Sequence, residues 1–286
     1  MKINYLKKIT LVLIAYKSEE IIKKFIKKIP NKLKTVIIEN SNNKKLKKDV
    51  EEKYKNIKVY IKENNGVASS INYAAKKINT EYFVQISPDI KFNFKELNIF
   101  YKIAKEKKNN FSALGPRFIN VNSKSHIQIN KKKKIDSIDS IHGSLMFINK
   151  KKFEFIGCFD ENFFLYFEET EYCKRGNLRE LKCYQINSIK VKQQGRTVKI
   201  NNKLMNNKLD NLLAWHFIWS EFYYHKKYKG LILSILIFVP VLFRTIFKIF
   251  LNKILKKDKN LQKYMYRFDG LVNSIRGNKS YLRLKL

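Results

Sequence analysis

Three glutamates lie close together in a strongly basic chain and could supply a general base. The 286 residues include 60 lysines and arginines against 24 aspartates and glutamates, a formal net charge of +36. Glu168, Glu169 and Glu171 follow the aromatic run FFLYF at 163–167. Large apolar neighbours remove solvent from a carboxylate, which raises its pKa toward the working range of a base. The structural alternative is that acids favour a helix start and that Glu171 pairs with Arg175 one turn later.

Asp89 is the next candidate, in the sequence SPDI after a predicted strand. A carboxylate there can ligate a hard divalent cation, which prefers oxygen ligands and often shares them with phosphates. Pro-Asp is also a common turn, and taken alone the motif favours the turn.

Two more polar sets follow predicted strands. Glu39 ends IIEN and could accept hydrogen bonds from a base or ribose, or cap the next turn. Asn64 and Gly66 precede a helix of small residues. A helix N-terminus can hold phosphate, but taken alone this segment favours an ordinary turn.

The elements that must position these residues alternate between strand and helix. Apolar runs of strand length and segments of helical spacing follow one another. In order they are ITLVLIAY, SEEIIKKFIKKI, KTVIIEN, a charged segment at 44–54, IKVYIKE, VASSINYAAKKI and EYFVQI. This order predicts an α/β fold with a parallel sheet, in which ligands bind outside the carboxyl ends of the strands.

The basic charge is spread along the whole chain and consists mostly of lysine. Nucleic-acid readers use arginine forks and recognisable motifs, so no nucleic-acid partner is predicted. An anionic membrane surface is favoured, because each surface lysine adds about 1 kcal/mol there. Cys158, Cys173 and Cys183 lack metal-type spacing and suit a reducing compartment. The run Ile9–Tyr16 is predicted to be a first strand rather than a signal peptide.

A long apolar segment, 231–255, lies near the C-terminus after a region rich in aromatic residues. Its uninterrupted part, Leu231–Phe243, is about 20 Å long as a helix, short of the ~30 Å hydrocarbon core. Arg244, Lys248 and Asn252 then recur at every fourth residue. This pattern favours a helix lying in the membrane interface over a full span. A hydrophobic hairpin packed on the domain or on another chain is the alternative.

The order of these motifs resembles the family 2 glycosyltransferases of the GT-A fold, most closely the rhamnosyltransferase-like branch acting on cell-surface polysaccharides. The resemblance covers 9–200 and is most specific in 142–175. It is carried by IIENSN, ENNGVASSINYAA, EYFVQISPDI, LGPRF, IHGSLMFINKKKFEFIGCFDENFFLYFEETEYCKR and VKQQGRT. It implies a Rossmann-like mixed sheet in a GT-A domain, 1–205, and a helical, amphipathic, membrane-associated region, 206–286.

The resemblance also implies a nucleotide-diphosphate sugar donor bound over the strand ends. A divalent metal, Mg²⁺ or Mn²⁺, would bind at Asp89, since SPD keeps only the last carboxylate of the family's metal motif. Pyrophosphate contacts fall on Gln193, where the family often has histidine, and on Arg196. The remaining donor contacts fall on Ala15, Tyr16, Glu39, Asn64, Gly66 and Ser87.

On the acceptor side, the resemblance assigns the catalytic base to Glu169, with Glu168 as its neighbour and fallback. The family usually has aspartate at this position, so glutamate moves the carboxylate by about 1.5 Å. The aromatic run before it would wall the sugar pocket. His142, Gly143 and Asp160 would border the acceptor.

The function implied is an inverting glycosyltransferase of cell-surface polysaccharide biosynthesis, because one base and in-line attack invert the anomeric carbon. The acceptor would be a glycan or lipid-linked sugar. The expected location is the cytoplasmic face of the bacterial inner membrane, as a peripheral or monotopic protein. The departures at Glu39, Ser87, Glu169 and Gln193 leave one alternative, a non-catalytic relative that binds sugar nucleotide or a partner transferase.

Overall fold

The computed structural model describes residues 5–119, 133–195, 198 and 203–283. The chain forms two compact units. The first contains Met1–Asp160 and Glu169–Val198, and the second contains Glu161–Glu168 and Lys199–Leu286. The short aromatic segment therefore leaves the first unit and joins the second, an excursion that no sequence signal marked.

The first unit is a mixed α/β sheet. Its first half alternates strictly: β1 (Ile9–Ala15), α1 (Glu19–Ile26), β2 (Lys34–Glu39), α2 (Lys44–Lys53), β3 (Ile57–Ile61), α3 (Gly66–Lys76) and β4 (Tyr82–Ile86). Its second half contains β5 (Ile90–Lys91), α4 (Leu97–Glu106), β6 (Leu114–Phe118), β7 (Ile135–Ile138), β8 (Leu145–Asn149), α5 (Lys150–Ile156), α6 (Glu168–Leu178) and β9 (Cys183–Gln193). Short 3-10 turns lie at Tyr5–Lys8 and Phe94–Glu96.

The strands are ordered β3-β2-β1-β4-β8-β6-β9-β5, and β7 pairs with β9. The predicted parallel sheet is confirmed for β1 to β4. Strand β8 runs antiparallel to β4 and β6, while β6 and β9 are parallel. The sheet is therefore mixed, and its parallel half brings the carboxyl ends of β1, β2 and β4 to one edge.

Both faces of this sheet are covered, as its continuous apolar strands require. Leu11 and Leu13 of β1 belong to one buried cluster, and Val12 between them belongs to the other. The alternation follows from the two-residue period of a strand. Helix α3 buries Ala68 and Ala74 in the second cluster, where small side chains permit close packing on the sheet.

The second unit consists of α7 (Lys203–Lys229), α8 (Leu231–Ile254) and α9 (Asp258–Ile275). Helix α7 buries Trp215, whose indole N–H donates to Asp269 of α9 at 2.6 Å. Buried Ser274 of α9 donates its hydroxyl proton to the Trp219 carbonyl at 2.9 Å. Polar tips of otherwise apolar side chains thus hold α7 and α9 together.

The aromatic run packs within this helical unit. Phe163 lies 4.9 Å from the Tyr223 ring, and Phe164 lies 4.7 Å from His216. The Ser220 hydroxyl of α7 donates to the Leu165 carbonyl at 2.8 Å. The expectation that the whole run walls a sugar pocket is therefore wrong for its two most buried rings, because α7 offers them aromatic partners.

Helix α8 buries polar side chains and exposes apolar ones. Ser234, Thr245 and Asn252 are buried, and each donates to the carbonyl four residues earlier. Its large exposed side chains are Leu231, Ile232, Leu233, Leu236, Phe243, Ile246, Phe247, Phe250 and Ile254. Of the predicted polar stripe, Asn252 is buried rather than exposed, and its amide donates to the Lys248 carbonyl of the same helix.

By length and composition α8 could cross a membrane. The helix has 24 residues. An 18-residue segment of it has a mean hydropathy of 2.2, and 17% of that segment is buried. Pro240 lies inside the helix, which continues through it without interruption. A helix of this length is about 36 Å long.

Candidate active site

The carboxyl ends of β1 and β2 lie side by side, as predicted. Ala15 pairs with Glu39 in the parallel register. The Asn40 N–H donates to the Ala15 carbonyl at 2.8 Å and continues the ladder past the strand ends. Tyr16, the next residue along β1, is half-buried. Ala15, Tyr16 and Glu39 therefore occupy one edge, where the sequence placed the donor.

The Glu39 carboxylate organises the loop that follows β2. It accepts the N–H groups of Ser41 at 2.9 Å and Asn43 at 2.7 Å, and the Ser41 hydroxyl. This geometry favours the capping alternative for Glu39. A carboxylate offers about four acceptor positions, so one more donor can be accommodated. Nucleotide binding by Glu39 stays a prediction.

Asn64 and Gly66 lie between β3 and α3. Gly66 has φ +93°, a left-handed conformation that favours glycine, and it is the first residue of α3. Its N–H lies 3.4 Å from the Asn64 side-chain oxygen. The turn thus delivers the chain into the small-residue helix at the donor edge, consistent with either alternative.

Asp89 lies in a turn and is held by the opposite strand. The Ile90 N–H donates to the Ser87 carbonyl at 3.1 Å, which closes the predicted turn. Strand β5 pairs with the end of β9, placing Gln193 opposite Ile90. The Gln193 amide donates to the Asp89 carboxylate at 2.9 Å, and the Gln194 N–H donates to the Asp89 carbonyl at 2.8 Å. Asp89 is therefore buried and held in place by Gln193 and Gln194. Metal binding by Asp89 and pyrophosphate binding by Gln193 stay predictions.

The oxygen atoms of Asp89 suit a divalent cation that takes most of its ligands from substrate phosphates and water. The described residues contain no group of three His, Cys, Asp or Glu side chains able to hold a metal. Mg²⁺ is commonly bound through one or two carboxylates together with substrate phosphates and water. The Asp89 carboxylate and the side-chain amide oxygen of Gln193 fit this kind of metal binding. Arg196, predicted to contact pyrophosphate, lies outside the described residues.

The turn before β8, residues 142–145, is attached to β4 by two hydrogen bonds. The Gln85 amide donates to the Gly143 carbonyl at 2.6 Å, and the Ser87 N–H donates to the Ser144 carbonyl at 2.8 Å. The Gln85 oxygen is buried and accepts no hydrogen bond from a described residue. Gln85 was missed from the sequence; its one signal is an amide in an otherwise apolar buried strand.

Glu169, in the first turn of α6, lies against that turn. A Cβ built on Gly143 would be 3.4 Å from the Glu169 carboxyl carbon, so glycine permits the close approach. Desolvation raises the pKa of Glu169 to about 7, and the backbone amides of Glu169, Thr170 and Gly143 partly oppose this rise. A carboxylate with this pKa can accept a proton at neutral pH. The role of the aromatic run in raising the pKa stays a prediction.

Its neighbours have other surroundings. Glu168 is buried at the end of the aromatic segment. Glu171 is fully buried, and its two carboxylate oxygens lie 2.8 and 2.9 Å from the Arg175 Nε, which donates to them. The Arg175 Nη2 lies 2.8 Å from Oε2 of the same carboxylate. Arg175 also donates to the Ile156 carbonyl at 2.6 Å. The predicted pairing of Glu171 with Arg175 is confirmed. The hydrogen bond from Arg175 to the Ile156 carbonyl joins α6 to α5.

The other acceptor-side residues are positioned by separate elements. The His142 ring lies 4.4 Å from Phe118, and its Nδ1 accepts the Ser144 N–H at 3.2 Å. Asp160 follows Phe159, whose backbone exchanges two hydrogen bonds with the Asn72 amide of α3 at 2.9 and 3.0 Å. His142 and Gly143 thus share the turn beside Glu169, and Asp160 is placed from α3.

The mixed α/β sheet of the first unit has the GT-A glycosyltransferase fold, which solved glycosyltransferase structures share. The family model for glycosyl transferase family 2 matches residues 10–169, more than half of the chain. The chain belongs to this family.

Among curated proteins, the chain is similar to the low-salt glycan biosynthesis hexosyltransferase Agl10 of Haloferax volcanii. The alignment of the two is 216 positions long, has 26% identity and covers 63% of this chain. The match spans 66% of that relative, just under two thirds of its length.

Two solved structures share the fold over nearly the whole chain. The mannosyltransferase PcManGT from Pyrobaculum calidifontis, in complex with GDP-Man and Mn²⁺, has a TM-score of 0.60 and 12% identity, covering 95% of this chain and 88% of its own. Residues 1–349 of S. aureus TarS, in complex with UDP-GlcNAc, have a TM-score of 0.55 and 12% identity, covering 96% and 93%.

Proposed function

We propose that this protein transfers a sugar from a nucleotide-diphosphate donor to a hydroxyl of a glycan or lipid-linked acceptor, with inversion. The observation that carries the proposal is Glu169. Its pKa is raised to about 7, and it lies against the Gly143 turn. That turn is hydrogen-bonded to β4, which leads directly into Asp89. A base and a fixed carboxylate on connected elements are what a sugar transfer between two substrates needs.

In this mechanism the donor lies over the carboxyl ends of β1, β2 and β4. The ionised Glu169 carboxylate takes the proton of the acceptor hydroxyl. The hydroxyl oxygen forms a bond to the anomeric carbon as the bond to the diphosphate oxygen breaks. A single base on the face opposite the leaving group gives inversion.

Asp89 and Gln193 are the residues that would hold a divalent metal. When bound, such an ion would neutralise charge on the diphosphate leaving group. The proposal is supported by the fixed Asp89 oxygen atoms and by PcManGT, a fold relative bound to Mn²⁺. Mg²⁺ and Mn²⁺ are the two ions we propose.

The proposed donor sugar is a hexose, with rhamnose as the first candidate. Support for a hexose comes from the relative described as a hexosyltransferase of glycan biosynthesis. Support for rhamnose comes from the order of the motifs in 142–175. We propose a role in cell-surface polysaccharide biosynthesis on this basis.

We propose that α8 lies in the membrane interface, at the cytoplasmic face of a bacterial inner membrane. Its outward face is apolar, and small polar side chains face the other helices. Exposed Arg244 and half-buried Lys248 suit the headgroup layer. The net charge of +36 favours an anionic surface. A lipid-linked acceptor would then be delivered from that surface.

The first test combines donor binding with turnover. Thermal-shift screening of nucleotide-diphosphate sugars, with and without Mg²⁺ or Mn²⁺, should identify one donor that stabilises the protein. With that donor, Glu169→Gln should keep binding and lose transfer by about 10³-fold. Glu180→Gln, at an exposed position, is the matched control and should keep full turnover. Unchanged turnover in Glu169→Gln would show that the base is wrongly assigned.

The second candidate is a relative that binds sugar nucleotide without transferring it. One observation favours it: the Glu39 carboxylate is already engaged by three donors of its own loop. In that case the donor screen succeeds, while wild type and Glu169→Gln show equal, background turnover.

A further inference from the structure

A cavity opens at the edge of the parallel sheet opposite to the donor edge. Its volume is about 520 Å³, and it lies where β1, β2 and β3 begin. Thr10 and Thr35 from the first two of these strands line it, together with Thr80 before β4. The donor edge lies at the other ends of the same strands, so the two places are distinct.

Five lysines line this cavity, and no aspartate or glutamate does. They come from the segment before β2, the turn before β3, β3 itself and the end of α3. In order they are Lys32, Lys34, Lys55, Lys58 and Lys77. Within the described ranges, no ion pair includes any of the five.

Nearby lysines of the same unit behave differently. Lys23 of α1 pairs with Glu19 at 2.7 Å and with Asp49 at 2.8 Å, and Lys47 of α2 pairs with Glu51 at 3.0 Å. The high lysine content therefore does not by itself produce unpaired clusters. At the cavity, like charges accumulate without a carboxylate among the lining residues.

The cavity has a fixed floor and one fixed wall. The hydroxyls of buried Thr10 and Thr80 are 2.7 Å apart and hydrogen-bonded. The Lys77 ammonium lies 5.7 Å from the Tyr60 ring and 5.3 Å from the Tyr73 ring, within reach of cation–π attraction. Lys77 is thereby held over the sheet edge.

We propose that this cavity binds a ligand carrying two or more phosphate groups. A concave surface of one charge sign focuses the electrostatic potential and concentrates counter-ions. Lysine binds phosphate as a point charge with three donors, so the five ammonium groups can supply the contacts to the phosphate oxygen atoms. The volume falls within the range of about 300–1,000 Å³ typical of small-molecule sites. The ligand is a free oligophosphate or the phosphate-bearing headgroup of a lipid.

The test compares two triple variants with the same loss of charge. Lys34→Gln/Lys58→Gln/Lys77→Gln removes cavity lysines, and Lys95→Gln/Lys102→Gln/Lys151→Gln removes exposed lysines that do not line the cavity. Calorimetric titration with tripolyphosphate, at physiological ionic strength, is the measurement. The cavity variant should lose at least about tenfold in affinity, and the control less than about twofold. Equal losses in both variants, or no binding by wild type, would overturn the proposal.

A second arm identifies the source of the phosphate. Flotation with vesicles of phosphatidylcholine, with and without cardiolipin, whose headgroup carries two phosphates, is measured for both variants. If the cavity variant also binds the anionic vesicles more weakly than the control, the ligand is a lipid headgroup. If only tripolyphosphate binding falls, it is a free oligophosphate.

The result is independent of sugar transfer. Glu169→Gln should bind tripolyphosphate as wild type does, and the cavity variant should keep the thermal shift given by the nucleotide sugar. Thermal unfolding verifies folding of both variants, and Lys58→Gln alone provides a milder version of the same test. Loss of the donor-dependent shift together with tripolyphosphate binding would place both at one site and refute a second site.

Discussion

The two edges of the parallel sheet differ in the sign of their charges and in whether the charged side chains are buried and hydrogen-bonded. At the carboxyl edge, Glu39 and Asp89 are buried and each accepts hydrogen bonds from neighbouring loops or strands. At the amino edge, five exposed lysines surround a cavity without an acidic side chain. The acids are few in this chain, and the ones at the carboxyl edge are fixed in position. The fixed positions of a few acids, more than the net charge of the chain, therefore distinguish the edge proposed for sugar transfer from the edge proposed for phosphate binding.

Removing the Asp89 carboxylate should have the largest effect among the variants that test the difference between the two edges. Asp89→Ala should lower sugar transfer by about 10³-fold, because the metal ion that would neutralise the leaving diphosphate would lose its carboxylate ligand. Initial rates across a range of Mn²⁺ concentrations would measure this. Asp258→Ala, at an exposed position on α9, is the control. Turnover that stays high and metal-dependent in Asp89→Ala would assign the metal elsewhere.

Glu169→Gln should stabilise the protein at alkaline pH, because burial disfavours the ionised carboxylate. The pKa is about 7 in the folded state and near 4.5 otherwise. Its stabilising contribution is therefore complete below pH 4.5 and is lost as the pH rises through 7. At pH 8 the variant should gain about 2 kcal/mol in the free energy of unfolding, measured by urea denaturation.

Glu171→Gln is the matched comparison for that measurement, one half-turn further along α6. It leaves the half-buried Arg175 without its carboxylate partner and should lose about 3 kcal/mol in the free energy of unfolding at the same pH. If both variants changed stability in the same direction, the distinction between a strained base and a structural acid would be wrong.

A smaller effect is expected from Gln85→Leu, which releases the Gly143 carbonyl from β4. The turn then loosens, and the amide of Gly143 stabilises the Glu169 carboxylate less. The pKa of Glu169 should rise further, so the pH profile of transfer shifts to higher pH and the rate at neutral pH falls about tenfold. Gln185→Leu, at a buried amide of β9, should leave the profile in place. Identical shifts in the two variants would remove Gln85 as a positioning residue.

The smallest effect concerns the amino edge. Lys58→Glu places a carboxylate among like charges and should raise stability by about 0.5 kcal/mol at low salt. Urea denaturation at low and high ionic strength measures it, since screening should abolish the gain. Lys102→Glu on α4 should give no comparable gain. A salt-independent change would show that the lysines of this edge do not repel one another.

The framework of the first unit was predictable because its strands are short apolar runs separated by helical spacing. Periods of two and of 3.6 residues are local properties, and β1 to β4 follow them. The order of motifs also located Asp89 and Glu169. These are the features that a sequence encodes within a few adjacent residues.

The remaining contacts depend on residues far apart in the chain. Gln193 meets Asp89 across 104 positions, and Gln85 meets Gly143 across 58. Neither pairing leaves a periodic signal. The burial of Phe163 on α7 and of Asn252 in the helical unit was missed for the same reason, since hydrophobic patterning identifies apolar faces without identifying their partners.

The pairing of β5 with the end of β9 has a consequence for synthesis of the chain. The neighbours of β1 to β4 emerge from the ribosome early, but the partner of Asp89 emerges 104 residues later. At about 5–20 residues per second, Asp89 waits roughly 5–20 seconds for Gln193. During that interval the growing chain has a nearly complete parallel sheet and no finished donor edge. Asp89 can therefore be fixed in position only in the last stage of folding of the first unit, after the chain has passed residue 193.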